Sequence, residues 1–446
     1  MTTGWDDIVV GSGPVGACVA RCLAEAGRRV LLLERGRAVT EPPGSHLRNR
    51  PEHRNDPDGW FAAVDGYLDE IDPDVSDAGL PGAATTSVVG GSGILWTNNC
   101  PRAVDGVDRP DALDDAAWAA AYDEAERLLG VRSDEFADSR RGEMVRSVLA
   151  TRLENQGRRL TALPLAGHRI DHVHIHYTGP ADVLAASDAT VERRTGAVHS
   201  VELDAGRATG VRLGNEVLRS GHVVLATGAL DAPLLLWRSG VEHPAIGRRV
   251  CFHPVLATQV VLDEGADPVG DDDPLPRLGI PQTPEHPWFT MVLRDTNPLP
   301  VDPSDRDVHP GRLVEIQAFG PIDPHPDNHL WVDGDGRPRF EVPIRAADRE
   351  RLTEIERDVD ALTEALGRVR RGCAPRWSRP DIAHLMGSCR LGGPDDDTSV
   401  VDVSGRLHGV DGLDIVGNAV IPTRLTVNPT LTATALALAG QRSRLA

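Results

Sequence analysis

The chain has 446 residues, of which 40% are hydrophobic, and its formal net charge is −20. This negative surplus argues against nucleic acid and anionic membranes as partners, because phosphate groups are bound by basic surfaces. No apolar run reaches the ~18 residues of a membrane helix, and the first residues lack the basic flank of a signal peptide. We therefore expect a cytoplasmic protein, with its six cysteines reduced.

A βαβ unit is predicted at the start of the chain. It comprises a buried strand over 7–10, a helix over 14–26 and a second strand over 30–33, which Glu34 follows. The turn between the first strand and the helix reads G-S-G-P-V-G, which fits the dinucleotide-binding fingerprint. The position of this turn, after a strand and before a helix, supports a dinucleotide cofactor but does not distinguish a nicotinamide from a flavin.

Each residue of the fingerprint has a physical role. Gly11 permits the tight turn, Gly13 lets a pyrophosphate approach the backbone, and Gly16 allows the helix to pack closely on the strand. Pro14 begins a helix whose N-terminus attracts anions. Glu34, with Arg35 beside it, ends the second strand, where a carboxylate accepts hydrogen bonds from ribose hydroxyls.

Further elements are predicted along the chain from hydrophobic periodicity. The predicted helices cover 112–129, 140–153, 346–366 and 429–439. The predicted strands cover 172–177, 191–201, 209–213, 222–226, 311–319, 329–332 and 414–416.

Four segments outside the βαβ unit form a specific pattern. They read V-V-G-G-S-G-I-L-W-T at 88–97, G-A-L-D-A-P at 228–233, H-L-M-G-S-C-R at 384–390 and N-P-T-L-T at 428–432. In this order they resemble the glucose–methanol–choline (GMC) family of FAD oxidoreductases, and within it the pyranose oxidase branch. Ala232 departs from the family pattern, which usually has serine or threonine there.

The resemblance implies a fold and a cofactor site. The fold is α/β (α+β overall), with a Rossmann-like FAD-binding domain and a discontinuous substrate domain on a second, mostly antiparallel sheet. The implied FAD-binding domain covers 1–102, 186–254 and 391–446, and the substrate domain covers 103–185 and 255–390. Besides the fingerprint, the implied cofactor contacts are Gly90, Gly91, Gly93, Thr97, Ala226, Gly228, Gly417, Asn418, Pro429 and Thr430.

One departure from the pyranose oxidase branch concerns the attachment of the cofactor. Leu95 stands where that branch commonly has a histidine bonded covalently to the flavin. Leucine cannot form this bond, so we expect non-covalent FAD. Thr97 matches a threonine near the reactive flavin nitrogen, although an ordinary buried hydroxyl is an equal alternative.

The resemblance also assigns the reacting pair. Oxidation of an alcohol by a flavin requires a base for the hydroxyl proton, and histidine, with an ordinary pKa of about 6.5, suits this task. His384 occupies the family's catalytic position, so it would take the proton while the hydride passes to flavin N5. Asn428 would hold the substrate oxygen through its amide. A structural alternative is that Asn428 caps a helix beginning at Pro429.

Other histidines are expected to have no catalytic role. His172, His174 and His176 alternate along one predicted strand, but no cysteine or carboxylate cluster accompanies them, so no metal is expected. His253 lies in a segment similar to a family element near the cofactor, and we expect it to be structural.

The substrate is expected to be a carbohydrate-type alcohol. The resemblance implies, as one candidate, a cationic aminosugar or aminoglycoside oxidised at a primary 6′-hydroxyl in antibiotic biosynthesis. The net charge favours this candidate, although acidic surfaces also serve solubility. The alternatives are a neutral pyranose or C-glycoside oxidised at a ring secondary alcohol, and a non-redox flavin-binding lyase of the same family. A plain NAD dehydrogenase is a further alternative. The electron acceptor and the oligomeric state stay open.

Overall fold

The fold is taken from a computed structural model, which describes residues 4–53, 63–71, 76, 78–135, 138–187, 189–263, 269–270, 272–294, 299, 301–394 and 396–446. The α-helices in these residues are α1 (Pro14–Glu25), α2 (Asp115–Leu129), α3 (Arg140–Glu154), α4 (Pro180–Ala185), α5 (Gly228–Arg238), α6 (Ala346–Leu366) and α7 (Thr430–Leu445). The strands are β1 (Trp5–Val10), β2 (Val30–Glu34), β3 (Asp69–Glu70), β4 (Ala84–Thr85), β5 (Val131–Arg132), β6 (Thr161–Ala162), β7 (Leu165–Arg169), β8 (Ile175–Tyr177), β9 (Val191–Thr195), β10 (Val198–Asp204), β11 (Arg207–Leu213), β12 (Glu216–Leu225), β13 (Val255–Leu262), β14 (Arg277–Ile280), β15 (Thr290–Leu293), β16 (Leu313–Phe319), β17 (His329–Val332), β18 (Pro338–Glu341), β19 (Gly367–Val369), β20 (Arg376–Trp377) and β21 (Leu413–Ile415).

The first sheet contains the predicted βαβ unit. Its parallel strands run in the order β9-β2-β1-β12-β21, and the long strand β12 continues into an antiparallel meander with β11 and β10. The strands β1 and β2 are buried because helix α1 covers them, and α1 in turn packs against α7. Gly27, at φ +80°, ends the turn after α1, and a left-handed residue is a common way for a helix to stop.

The second sheet is antiparallel, in the order β19-β13-β16-β15-β14-β6, with β20 also paired to β13. One face packs against helices α3 and α6 through aliphatic side chains such as Val145, Leu149, Ile355 and Val359. Alternate residues of a strand point to opposite faces, so the other face carries the side chains that turn away from these helices. We call it the inner face, and the candidate site lies against it.

These sheets confirm the predicted fold class, a Rossmann-like domain in a mixed α/β protein with a further antiparallel sheet. The domain boundaries remain a prediction. Helix α2, which falls in the range 103–185 of the predicted substrate domain, packs against α1 and α7 of the first sheet.

Two strand predictions need correction. The strand predicted over 172–177 begins only at Ile175, because the carboxylate of Asp171 accepts hydrogen bonds from the backbone of Val173 and His174 and holds a turn there. The strand predicted over 191–201 is two strands, β9 and β10. They separate at Gly196, whose backbone N–H donates to the carbonyl of Glu34.

All six cysteines are buried, and none forms a disulfide. No helix in the described part of the chain has both the length and the apolar character that crossing a membrane requires.

Candidate active site

The fingerprint glycines lie where helix α1 meets strand β12. Gly11 has φ +102°, and a Cβ there would lie 2.5 Å from the carbonyl oxygen of Ala226. A Cβ on Gly16 would lie 1.9 Å from the carbonyl oxygen of Gly11. Both positions therefore require glycine for the close packing of the turn, the helix and the end of β12.

Gly13 differs from these two glycines, because a Cβ added there would meet no atom within 4 Å. The same is true at Gly228 and Gly417, which have φ +80° and +91°. We call these five glycines, Gly11, Gly13, Gly16, Gly228 and Gly417, the glycine cradle. The space beside Gly13 adjoins the first turn of α1, which begins at Pro14, and a helix N-terminus with room beside it fits a pyrophosphate.

Glu34 connects three segments around the cradle. Its Oε2 accepts hydrogen bonds from the Ser12 backbone N–H at 3.1 Å and from the Ser12 hydroxyl at 2.7 Å, and its Oε1 accepts one from the Gly36 N–H. The Ser12 hydroxyl oxygen in turn accepts a hydrogen bond from the Gly90 N–H at 2.8 Å. The carboxylate thus already orders the turn, and its predicted contact with a ribose would add to these bonds. Arg35 beside it pairs with Asp231 at 2.8 Å.

The 88–97 segment approaches the cradle through two left-handed glycines, Gly90 and Gly91. A Cβ on Gly91 would lie 3.5 Å from the Gly13 Cα. Gly93 has a different environment, since a Cβ there would collide with Pro14 and Pro180 at 2.6–2.8 Å. Gly93 is therefore required for packing, whatever its backbone contacts with a cofactor.

Thr97 is linked to the inner face of the second sheet through Asn99. The Asn99 amide donates to the Thr97 hydroxyl at 3.4 Å and to the Met291 sulfur at 3.6 Å, and its oxygen accepts a hydrogen bond from Arg277. Leu95 packs against a small hydrophobic cluster that includes Leu47 and Val88.

The segment containing His384 is positioned by backbone pairing with two others. On one side Gly387 N–H donates to the carbonyl of Asn418, which follows the cradle residue Gly417. On the other side Cys251 and Met386 form an antiparallel bridge. In an antiparallel pair the residue two positions after one partner faces the residue two positions before the other. His253 therefore lies opposite His384.

The two histidine rings are in direct contact. The Nε2 of His253 lies 2.5 Å from the Nδ1 of His384, and the His253 Nδ1 lies 2.8 Å from the carbonyl oxygen of Leu425. The ring of Phe319, from the inner face of the second sheet, packs 4.4 Å from the His253 ring and 5.5 Å from the His384 ring.

Desolvation favours the neutral form of both histidines, of which His253 is buried and His384 is half-buried. It lowers the pKa of His253 to about 4, although the bond to the Leu425 carbonyl acts in the opposite direction. Burial and the neighbouring His253 lower the pKa of His384 well below its ordinary value. Close by in the chain, burial raises the pKa of Asp381 to about 6.

Asn428 lies in the same loop as Leu425, before helix α7. It is only 6% exposed, and its Oδ1 is buried without a hydrogen-bond partner among the described residues. The predicted capping role is wrong by one position, because α7 begins at Thr430, its cap residue is Pro429, and the Asn428 side chain bonds no helix N–H. The amide is thus positioned before the helix N-terminus and is available to another group.

Asp108 is a site residue that the sequence analysis missed. Its buried carboxylate accepts hydrogen bonds from the backbone N–H and the hydroxyl of Thr426 at 2.9 Å, and from Gln282 and the Val104 N–H. Burial raises its pKa, which these bonds partly offset. Asp108 thereby holds the loop that carries Asn428, and no local motif around it indicates this role.

Thr227 was also missed, although the adjoining Ala226 and Gly228 were predicted. Its hydroxyl oxygen is buried beside the Gly11 turn and has no hydrogen-bond partner among the described residues. An unpartnered buried hydroxyl at a cradle fits a polar ligand there. The sequence does offer one signal for Thr227, because the residue lies between two predicted cofactor contacts.

The three alternating histidines lie in strand β8 and in the turn before it. His174 and His176 contact the carboxylates of Asp171 and Asp182 at 2.6 and 2.9 Å. His172 is exposed in the turn before β8. The structure brings together the glycine cradle residues and, separately, His253 and His384, and Asn428 lies three residues after Leu425, whose carbonyl contacts His253. We call His253, His384 and Asn428 the histidine corner.

Comparisons with known proteins agree with this geometry. Models of the GMC oxidoreductase family match residues 116–255 and 324–437, and an NAD(P)-binding Rossmann-like domain matches residues 9–40. The chain is 30% identical to a C-glycoside 3-oxidase of Microbacterium trichothecenolyticum, over 98% of this chain and 96% of that protein. It is 27% identical to a pyranose 2-oxidase of Lyophyllum shimeji, over 99% and 91%. It is 26% identical to a 6'''-hydroxyparomomycin C oxidase of Streptomyces lividus, over 98% and 91%.

Among solved structures, pyridoxine 4-oxidase from Mesorbium loti superposes with a TM-score of 0.66. It covers 98% of each chain at 20% identity, so it supports the fold alone. The resemblance read from the four segments is confirmed, and the chain belongs to the GMC oxidoreductase family of flavoenzymes that act on alcohol groups.

Proposed function

We propose that this protein is an FAD-dependent oxidoreductase that oxidises a ring secondary alcohol of a neutral sugar or C-glycoside. The observation that carries the proposal is the histidine corner, which contains a neutral histidine and a buried asparagine whose side-chain amide bonds none of the described residues. A base and a hydrogen-bond donor are the two groups that the oxidation of an alcohol requires from the protein.

FAD would be held by the glycine cradle and the N-terminus of α1. Glu34 would meet the ribose, and the backbone around Gly90, Gly91, Thr97 and Gly417 would line the remainder. Bound FAD supplies the acceptor for the hydride that leaves the alcohol carbon. Because Leu95 has no nucleophilic atom, we propose that the cofactor is held without a covalent bond.

His384 takes the proton of the substrate hydroxyl. Its low pKa keeps the ring unprotonated at neutral pH, so that a lone pair is ready before the substrate arrives. The O–H bond breaks as the proton moves to the imidazole, and the alcohol carbon becomes a carbonyl carbon as its hydride departs. Asn428 donates its amide N–H to the oxygen while negative charge develops there.

The choice of a neutral sugar follows from the charges on the inner face. Glu315 shares this face with Phe319 by strand alternation, but it is buried and paired with Arg294 at 3.1 Å. The carboxylate of Asp108 is likewise filled with hydrogen bonds. Neither group is free to bind an ammonium, and the relative with 30% identity bears the name of a C-glycoside oxidase.

An aminosugar oxidised at a primary hydroxyl is the second candidate. It is favoured by the net charge of −20, by the relative named as a hydroxyparomomycin oxidase, and by Asp381, which has no ion-pair partner among the described residues. Binding of a polycation weakens steeply as salt screens the charges.

The test is anaerobic bleaching of the holoenzyme across a panel of neutral sugars, C-glycosides and aminoglycosides. We expect bleaching by members of the first two groups, with a KM that changes less than about twofold between low and physiological ionic strength. Bleaching by aminoglycosides alone, with a salt-sensitive KM, would establish the second candidate. No bleaching by any alcohol, from a protein that carries flavin, would indicate a non-redox member of the family.

A further inference from the structure

His253 contacts His384 through a bond whose direction can be determined. A carbonyl oxygen accepts hydrogen bonds and never donates, so the His253 Nδ1, 2.8 Å from the Leu425 carbonyl, must carry a proton. Burial keeps this ring neutral, so its second nitrogen, Nε2, has a lone pair and no proton. The proton in the 2.5 Å contact between the rings therefore belongs to His384 Nδ1.

This assignment leaves one arrangement for His384. With Nδ1 protonated in a neutral ring, Nε2 carries the lone pair and points away from His253. We propose that His253 is a positioning residue that selects the base-competent tautomer of His384, through the chain from His384 Nδ1–H to His253 Nε2 and from His253 Nδ1–H to the Leu425 carbonyl. The proposal deepens the proposed function, in which His384 Nε2 receives the substrate proton.

The same chain of hydrogen bonds stabilises the charged state of His384 that follows proton transfer. When His384 Nε2 gains the proton, the ring becomes an imidazolium and the Nδ1–H bond to His253 becomes charge-assisted, which strengthens it. The role of His253 thus resembles that of the aspartate in a Ser-His-Asp triad, but a neutral acceptor performs it. None of the described carboxylates contacts either ring.

The surroundings fix the pair in place. The antiparallel bridge between Cys251 and Met386 sets the register, and Phe319 packs against both rings. His253 is 4% exposed, so water cannot easily replace it as the acceptor. Removal of its acceptor nitrogen would leave the Nδ1–H of His384 unsatisfied and let the other tautomer compete.

Two variants of the holoenzyme separate this role from a merely structural one. In His253→Leu we expect the rate constant for flavin reduction to fall about 10- to 100-fold, the scale expected when a buried donor loses its acceptor, with FAD content and KM nearly unchanged. In His253→Gln we expect recovery to within about threefold of wild type, because the amide oxygen accepts from His384 while the amide N–H donates to Leu425. His243→Leu, which replaces a half-buried histidine in the preceding turn, is the control and should leave the rate unchanged.

A measurement without turnover tests the tautomer itself. In protein labelled with 15N-histidine, the His384 signals, identified by their loss in His384→Asn, should show a protonated Nδ1 and an unprotonated Nε2 at neutral pH. The Leu variant should show a mixture of tautomers, and the Gln variant should show the wild-type pattern. A wild-type His384 protonated on Nε2, or a Gln variant as slow as the Leu variant, would overturn the proposal. Because the NMR result needs no substrate, it stands or fails separately from the proposed alcohol oxidation.

Discussion

The glycine cradle and the histidine corner solve different physical problems. The cradle offers backbone and open space: Gly13, Gly228 and Gly417 have no neighbours where a side chain would be, and Glu34 and Ser12 already bond to the protein. The corner offers side chains, with a neutral His384 and an unpartnered Asn428 oxygen in buried surroundings. A cofactor that stays bound needs a shaped surface, whereas a reacting alcohol needs polar groups held ready for it.

This contrast predicts that substitutions in the two regions fail in different ways. Changes at the histidine corner should lower turnover and leave FAD content unchanged. Changes in the glycine cradle should lower FAD content and leave the turnover of each bound flavin unchanged.

His384→Ala should have the largest effect. Loss of a general base costs about 10²- to 10⁴-fold, so we expect flavin reduction to slow by about 10³-fold. The measurement is stopped-flow reduction under anaerobic conditions, with FAD content determined from the absorbance of the purified protein. His243→Ala is the control. A variant that loses FAD in proportion to activity would break the contrast between the two regions.

Asn428→Ala should slow flavin reduction by about 10²-fold, the scale of one lost hydrogen-bond donor to a developing oxyanion. FAD content should stay at the wild-type level, because the Asn428 side chain bonds no described residue and does not cap α7. Asn155→Ala, at the end of α3, is the matched control. Equal losses of FAD and of activity would mean that Asn428 contributes to FAD binding and not to the reaction.

Gly13→Ala and Gly16→Ala should differ from each other within the cradle. The Cβ at Gly13 meets no protein atom, so the unfolding free energy of the apoprotein should change by less than about 0.5 kcal/mol while FAD affinity falls about tenfold or more. The Cβ at Gly16 collides with Gly11, so that variant should lose about 1–3 kcal/mol of stability. Denaturant titration and FAD titration measure the two quantities. Normal FAD affinity in Gly13→Ala would contradict the assignment of the space beside it.

The pH dependence should give the smallest and most specific effect. A base must be unprotonated, so activity is present above its pKa and lost as the pH falls through it. Since the pKa of His384 lies well below 6.5, kcat/KM should stay level down to pH 6.5 and decrease only below it. Asp381, with a pKa of about 6, is the competing group. If the decrease of kcat/KM at low pH disappears in Asp381→Asn, the decrease is caused by protonation of that carboxylate and not of His384.

Much of the fold and of the cradle could be predicted because the information is local. The strand, turn and helix around Gly11 to Gly16 follow from residues close together in the chain, and helix α6 was predicted with the bounds that the structure has. The strand predicted over 172–177 failed for an equally local reason, since the carboxylate of Asp171 competed for the backbone N–H groups.

The family, the dinucleotide turn and the candidates His384 and Asn428 could be predicted from the amino-acid sequence, because each is part of a contiguous motif. The surroundings of these residues are visible only in the folded molecule. His253 contacts His384, although 131 positions separate the two residues in the chain. Asp108 bonds to Thr426, in the loop before Asn428, across a separation of 318 positions. Such contacts depend on strand register and on the packing of two sheets, which no short window of sequence contains. For this reason His253, expected to be structural, became the neighbour whose lone pair determines the proton position on His384.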